Sequence, residues 1–218
     1  DNFSTLTTIP LAADENSRLA VAEYLTRVNF NMRNGNFELN MDTGGEIINC
    51  AAKLFAKRGV GSVSLRDIAD ELGISKGTLH YYFKTKEDLI CSCAENCVAL
   101  IGDGVFELMN GAARGGNAES VCEKFVSAFF DDASLPKLLV GLLCCECGRA
   151  AEICRSAIEE WRVMFEVAAL RLSPRSGGQT ELSQAAIPII LGFAAAQAEP
   201  QAAQKAATEA LAALILKK

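Results

Sequence analysis

Apolar residues recur at helical spacing along most of this chain. Ile47, Ile48, Ala51, Leu54 and Phe55 follow one another at steps of one and three, which predicts an amphipathic helix. Thr43 and Glu46 stand at capping-box spacing, where a hydroxyl and a carboxylate each satisfy a free backbone N–H, so the helix is expected to open there and to close at Gly59 and Gly61. Ser64 reads as the N-cap of a second, short helix whose buried stripe is Ile68, Ala69 and Leu72, ended by Gly73. Ser75 caps a third helix through Phe83, and Thr85 with Asp88 repeats the capping-box spacing at the start of a fourth.

Further on, the periodicity predicts helices near 86–110, 118–131, 135–148, 149–172, 182–198 and 202–216. The breaks fall at Gly115-Gly116, Ser134 to Pro136, Pro174 to Gly178 and Glu199-Pro200. Pro188 lies within one segment and is expected to kink or locally break it, because proline lacks the N–H that the preceding turn needs. The Ala- and Gln-rich tail keeps Leu211, Leu214 and Ile215 on an apolar face, which favours a packed terminal helix.

The first 43 residues have a different texture. A short helix with Leu19, Ala22 and Leu25 on one side gives way to alternation: Val28, Phe30 and Met32, a turn at Asn34-Gly35, then Phe37, Leu39 and Met41, the pattern of a β-hairpin. A lone hairpin is barely stable in water, so it needs a covering partner. The expected architecture is all-α: an extension over 1–43 carrying a short helix and a hairpin, a domain of short helices over 44–90, and a larger helical domain over 91–218.

Half of the 218 residues are hydrophobic, enough for a substantial core. No run of about eighteen uninterrupted apolar residues occurs, and the start lacks the basic-then-apolar order of a signal peptide, so a cytoplasmic protein with no membrane partner is expected. The nine cysteines crowd together (Cys91, Cys93 and Cys97; Cys144, Cys145, Cys147 and Cys154), unlike a secreted disulfide framework, and read as reduced thiols. The net charge of −6 argues against non-specific coating of nucleic acid. Residues 44–90 nevertheless carry 7 basic against 6 acidic side chains, whereas 1–43 carry 3 against 6 and 91–218 carry 11 against 15. Any docking to DNA must rest on placement rather than on bulk charge.

The stretch from Val63 to Leu89 has the grammar of a helix-turn-helix: a bracing helix, a tight turn at Gly73, and a second helix opened by Ser75. Ile68, Leu72, Ile74 and Leu79 are spaced to bury the brace, leaving Lys76, Thr78, His80 and Tyr81 for a groove-facing surface. Residues 44–90 resemble the amino-terminal domain of the TetR family of repressors, through Ala52, Phe55 and Gly59, the Arg66 to Ala69 segment, the Ser75 to Leu79 segment, and the aromatic run followed by Thr85-Lys86-Glu87.

The resemblance implies a DNA-binding set. Ser64 would sit near a phosphate at the start of the bracing helix, with Ser75, Lys76 and Gly77 at the entry of the recognition helix. Thr78, His80 and Tyr81 would face bases or the sugar-phosphate edge, and Tyr82 and Lys86 would clamp backbone. His80 departs from the tyrosine frequent in the family. The bland readings stay open: Lys76 and Lys86 as solvated helix charges, Tyr81 or Tyr82 as core, His80 as structural. The resemblance also implies a homodimer on a palindromic double-stranded operator and a small apolar effector, with 44–90 as the helix-turn-helix DNA-binding domain and 91–218 as the effector-binding and dimerisation bundle. That family begins near its first DNA-binding helix, where Met41 would be a natural start. The run from Val28 to Thr43 weakly resembles a segment of the YbjN-like group of small bacterial α/β proteins.

Catalysis finds no support in the motifs: there is one histidine, no Walker or metalloprotease pattern, and no glycine-rich loop after a strand. No cofactor and no metal site are expected. Cys93 with Cys97 and Cys144 with Cys147 could place thiolates side by side on a helix for oxidation or metal binding, or could act as small buried hydrophobes. Phe106, Met109, Phe125, Phe129, Trp161 and Phe165 are expected to line a core or an effector pocket, with Glu146 and Arg162 as its polar contacts. The leading expectation is an effector-released repressor. The alternatives are a helical interaction adaptor without DNA binding and a thiol- or metal-responsive regulator.

Overall fold

The computed structural model describes residues 43–112, 118–172, 179–196 and 199–216. The helix and hairpin expected before Thr43 lie outside the described residues. Among those described there are nine helices and no strand: α1 Thr43–Arg58, α2 Leu65–Leu72, α3 Lys76–Tyr82, α4 Lys86–Ala112, α5 Ala118–Phe130, α6 Leu135–Leu143, α7 Gly148–Leu172, α8 Gln179–Ala196 and α9 Pro200–Leu216. The fold is all-helical, a small helix-turn-helix head joined to a larger bundle.

The helix starts of the head are set by three-residue capping contacts. Ser64 N–H donates to the Asp67 carboxylate at 2.7 Å while Asp67 N–H donates to Ser64 Oγ at 3.2 Å, a reciprocal box. Gly73 closes α2 at φ 67°, a left-handed conformation that costs glycine little. Ser75 Oγ accepts from Thr78 N–H at 3.0 Å to open α3. Thr85 and Asp88 exchange two bonds of 3.0 Å at the start of α4. These contacts matter because α2 and α3 are 8 and 7 residues long, too short to hold helical form unaided.

The core runs from head to bundle without a gap. In the head, Ile47, Ala51 and Phe55 of α1 pack with Ile68 and Ala69 of α2, Leu79 of α3 and Leu89 of α4. Helix α4 continues into the bundle, where it lies along α7 over the most extensive helix–helix contact and also meets α1, α5 and α6. Its Gly104 permits a close crossing, since a Cβ there would come within 2.7 Å of Ala128 Cβ and 2.9 Å of Ala128 Cα on α5. Lys86–Glu107 has the length and mean hydropathy (1.5) of a membrane span, a measure that a core helix also meets, and half of that stretch is buried inside the fold.

Two boundaries differ from the periodicity. The segment expected to continue to residue 148 ends at Leu143, and α7 opens at Gly148 after a corner at Cys144–Cys147. Cys144, Cys145 and Cys147 carry no helix-stop signal, so the earlier end at Leu143 could not be read from the pattern. Helix α8 runs unbroken past Pro188, correcting the expected local break. Ile187 and Ile190 on either side are buried, and packing against α6, α7 and α9 holds the helix despite the missing N–H.

Candidate nucleic-acid interface

One residue orients the recognition helix. Leu79 is buried to 1%, and at 100° per residue Gly77 and Tyr81 fall on the opposite side of α3. Tyr81 is accordingly 75% exposed. Tyr82 is exposed too, so neither tyrosine belongs to the core, and the buried aromatic of the run is Phe83. The two tyrosine rings meet edge to face at 5.2 Å, and the Lys84 ammonium lies 6.0 Å from the Tyr81 ring centre.

The start of α2 and the Leu79 flank of α3 form one surface. Ser64, Leu65 and Arg66 line an open hollow of about 260 Å³ with Lys76, Leu79 and His80. The structure thus brings Ser64, Lys76 and His80 together with Arg66 in the hollow and sets Lys84 by the Tyr81 ring instead; the sequence reading placed neither cation in the site. The cation pattern alone could have found them. Arg66 holds Asp70 at 3.5 Å, an exposed pair of little energetic weight and easily exchanged for a phosphate.

Several hydroxyls of the set already have local duties. Ser64 Oγ donates to the Asp67 carboxylate, which these hydrogen bonds hold below the usual carboxylate range. Ser75 Oγ and Thr78 Oγ1 are 2.8 Å apart. The Lys86 ammonium donates to the carbonyls of Val60 at 2.8 Å and Gly61 at 3.4 Å. It therefore ties the start of α4 to the α1–α2 turn, with one N–H left for any phosphate.

In the bundle, four expected pocket residues come together. The Phe125 ring lies 4.4 Å from Phe165 and 5.4 Å from Phe129, which meets Trp161 edge to face at 5.4 Å. All four are buried, and Phe106 on α4 is half-buried. The side chain of Met109 lies outside the described residues. Arg162 is held by Glu159 and, at 3.2 Å, by Glu166, whose carboxylate also accepts from buried Ser183 at 3.2 Å. Glu146 is exposed at the α6–α7 corner. Arg162 lies fourteen residues beyond Gly148 along α7, about 21 Å at 1.5 Å per residue, so the two expected polar contacts do not share one site.

The cysteine pairs read from helical spacing do not form. Cys93 and Cys97 point at different backbones, the Ile48 carbonyl at 3.7 Å and the Leu135 carbonyl at 3.8 Å, and burial pushes both thiols up. Cys144 is exposed, while Cys147 meets Cys91 instead, their sulfurs 3.8 Å apart. Among the described residues no group of three or more metal-ligating side chains is gathered.

A short helix braced across a glycine turn, with one buried anchor and a polar, aromatic outer side, has the geometry of a helix-turn-helix. Residues 47–93 match the family described as bacterial regulatory proteins, tetR family. The transcriptional regulator YerO of Bacillus subtilis is 33% identical over 100 residues, 46% of this chain and 34% of that protein. The transcriptional repressor KstR2 of Mycobacterium tuberculosis is 44% identical over 46 residues, 21% of this chain and 23% of that protein. The shared stretches thus span about a third or less of those relatives' own lengths. A transcriptional regulator of Saccharomonospora viridis, solved in complex with choline, has the same fold with a TM-score of 0.65 at 19% identity, covering 82% of this chain and 98% of that one. The chain is thus similar to the tetR family over residues 47–93, and it shares its helical fold with solved transcriptional regulators.

Proposed function

We propose that this chain is a cytoplasmic, dimeric, non-enzymatic repressor that docks α3 in the major groove of a palindromic operator and is released by a small apolar effector. The observation that carries this reading is the surface joining Ser64, Arg66, Lys76 and His80 in one hollow, with the residue after His80, Tyr81, 75% exposed. Cations, hydroxyls and an exposed ring on two adjoining short helices suit phosphate positioning and base contact. Lys76 and Arg66 hold phosphates; Gly77, Thr78, His80 and Tyr81 face base edges and sugar; Ser75 shapes the helix entry.

For assembly, α8 and α9 supply an apolar outer side, with Leu214 42% exposed and Ile189, Leu191 and Phe193 half-buried. Pairing of these helices with their copies sets two recognition helices one DNA turn apart. For release, α4 is the shared lever. It starts at the end of the recognition unit, tethered by Lys86, and runs into the bundle beside Phe106 and the cluster of Phe125, Phe129, Trp161 and Phe165. An effector that shifts its far end tilts its near end, and by linkage DNA weakens effector binding by the same factor.

Anisotropy titration against genomic fragments, including DNA upstream of its own gene, tests the reading. Lys76→Ala is expected to lower affinity on every fragment and to reduce the log–log salt slope by about 0.9. Thr78→Ala and His80→Ala are expected to alter base preference instead. An unchanged slope in Lys76→Ala removes that residue from the interface, and wild-type affinity that ignores fragment sequence overturns the proposal.

A further inference from the structure

The Cys91 and Cys147 sulfurs lie 3.8 Å apart, although 56 positions separate the residues along the chain. Cys91 sits on the second turn of α4, directly after the recognition unit, and is 3% exposed. Cys147 is half-buried at the α6–α7 corner, where its carbonyl accepts the Ala151 N–H at 3.1 Å to open α7. The pair therefore spans the seam between the head and the bundle. Helix α6, which leads into that corner, packs on α1 of the head, and its Gly141 faces Val60.

We propose that Cys91 and Cys147 are a disulfide-forming site, oxidised by peroxide, that bolts the head end of α4 to the α6–α7 corner. Cys147 reacts first because it is reachable from solvent, whereas burial and the bond to Cys147 push the Cys91 thiol up to about 11. Arg149, on the first turn of α7, lies close enough for its charge to favour the Cys91 thiolate against that burial. The Cys147 thiolate attacks one peroxide oxygen; the O–O bond breaks, giving a sulfenic acid and a hydroxide that takes up the thiol proton as water. The Cys91 sulfur then attacks Cys147 Sγ. The S–S bond forms, the S–O bond breaks, and the departing hydroxide leaves as water with the Cys91 proton. Two thiols lose two electrons and one peroxide becomes two waters. Closing the bond requires the sulfurs to move from 3.8 Å to about 2.05 Å, within reach of a side-chain rotation and a small shift of the corner.

The other thiols are placed differently. Cys93, Cys97, Cys122 and Cys154 are buried, Cys50 on α1 is half-buried, and burial pushes each of the five up. Cys145 turns its sulfur to the Leu142 carbonyl at 3.1 Å. Cys144 is exposed and serves as an internal control for indiscriminate oxidation.

The test treats the full chain with hydrogen peroxide, blocks remaining thiols by alkylation, and maps peptides without reduction. A Cys91–Cys147 linked peptide is expected in the wild type and in Cys144→Ser, absent in Cys147→Ser and reversed by dithiothreitol. The linked form is expected to melt several degrees above the reduced form, because the bond closes a long loop. A Cys144–Cys147 link, a link between two copies, or Cys147 carried to sulfinic acid with Cys91 still free overturns the proposal. The effect on DNA rests on the proposed function and is read separately: a several-fold change in operator affinity on oxidation, lost in Cys147→Ser. Absence of sequence-specific DNA binding before oxidation counts against the repressor reading and leaves the peptide map as the judge of the disulfide.

Discussion

In the head, α2 and α3 are 8 and 7 residues long and each is opened by a serine whose hydroxyl satisfies a backbone N–H; in the bundle, α4 and α7 run for 27 and 25 residues and meet along a broad apolar contact. Short helices cannot recover the cost of nucleation from their own hydrogen bonds, so capping and a few anchors such as Leu79 decide whether they form. Long helices form cooperatively and derive their stability from packing, here around Trp161 and three phenylalanines. The contrast also separates what each region can do. A short, end-capped helix with one buried anchor leaves most of its side chains free for a partner, whereas the aromatic cluster is occupied with itself.

The comparison breaks most readily in the bundle. Trp161→Ala removes a side chain that is 1% exposed and in ring contact with Phe129, so a loss of about 3–5 kcal/mol is expected in chemical denaturation. A loss under about 1 kcal/mol would mean that the cluster is loosely filled, and would favour its use as an effector cavity over a packed core.

The α4–α5 crossing gives a smaller effect with a built-in rescue. Gly104→Val would drive its Cβ into Ala128 Cβ and backbone, and overpacking of this kind costs about 1–3 kcal/mol. Ala128→Gly in the same chain is expected to return part of that loss. No rescue would place the strain elsewhere than at this crossing.

The smallest effect sharpens the account of the head. The Ser64 hydroxyl, followed by its backbone N–H, holds the Asp67 carboxyl below the usual range. A carboxyl whose folded pKa lies below its unfolded value of about 3.9 contributes stability above that value, and the contribution fades as pH falls through the folded pKa. The melting difference between wild type and Ser64→Ala is therefore expected to stay level from pH 7 to 5 and to narrow below about pH 4. A difference that persists unchanged in acid would show that the hydroxyl, not the carboxylate, carries the cap.

Several features of the head were legible because the interactions behind them are local. Capping at Ser64, Ser75 and Thr85 joins residues three apart, and the outward side of α3 follows from the helical period once Leu79 is taken as buried. Arg66 and Lys84 were missed because charge at a helix start or in a loop has no spacing rule of its own. The aromatic residues of the bundle could be gathered into one group but not assigned contacts, since the same stripe fits a core or a pocket.

By itself, the sequence determined the helical class, the order of the helices and the face of α3, through caps, glycine stops and a period that act within one or two turns. Tertiary structure alone decided which distant groups meet. Cys93 and Cys97 have the better spacing yet turn to different carbonyls, while Cys91 finds Cys147 across the seam. Lys86 is fixed by carbonyls 25 and 26 residues away, and Gly104 has meaning only against Ala128. The corner at Cys144–Cys147 interrupts a run with no local stop, and α8 continues through Pro188. In each case packing between helices from distant segments outweighs a preference that one helix can express alone.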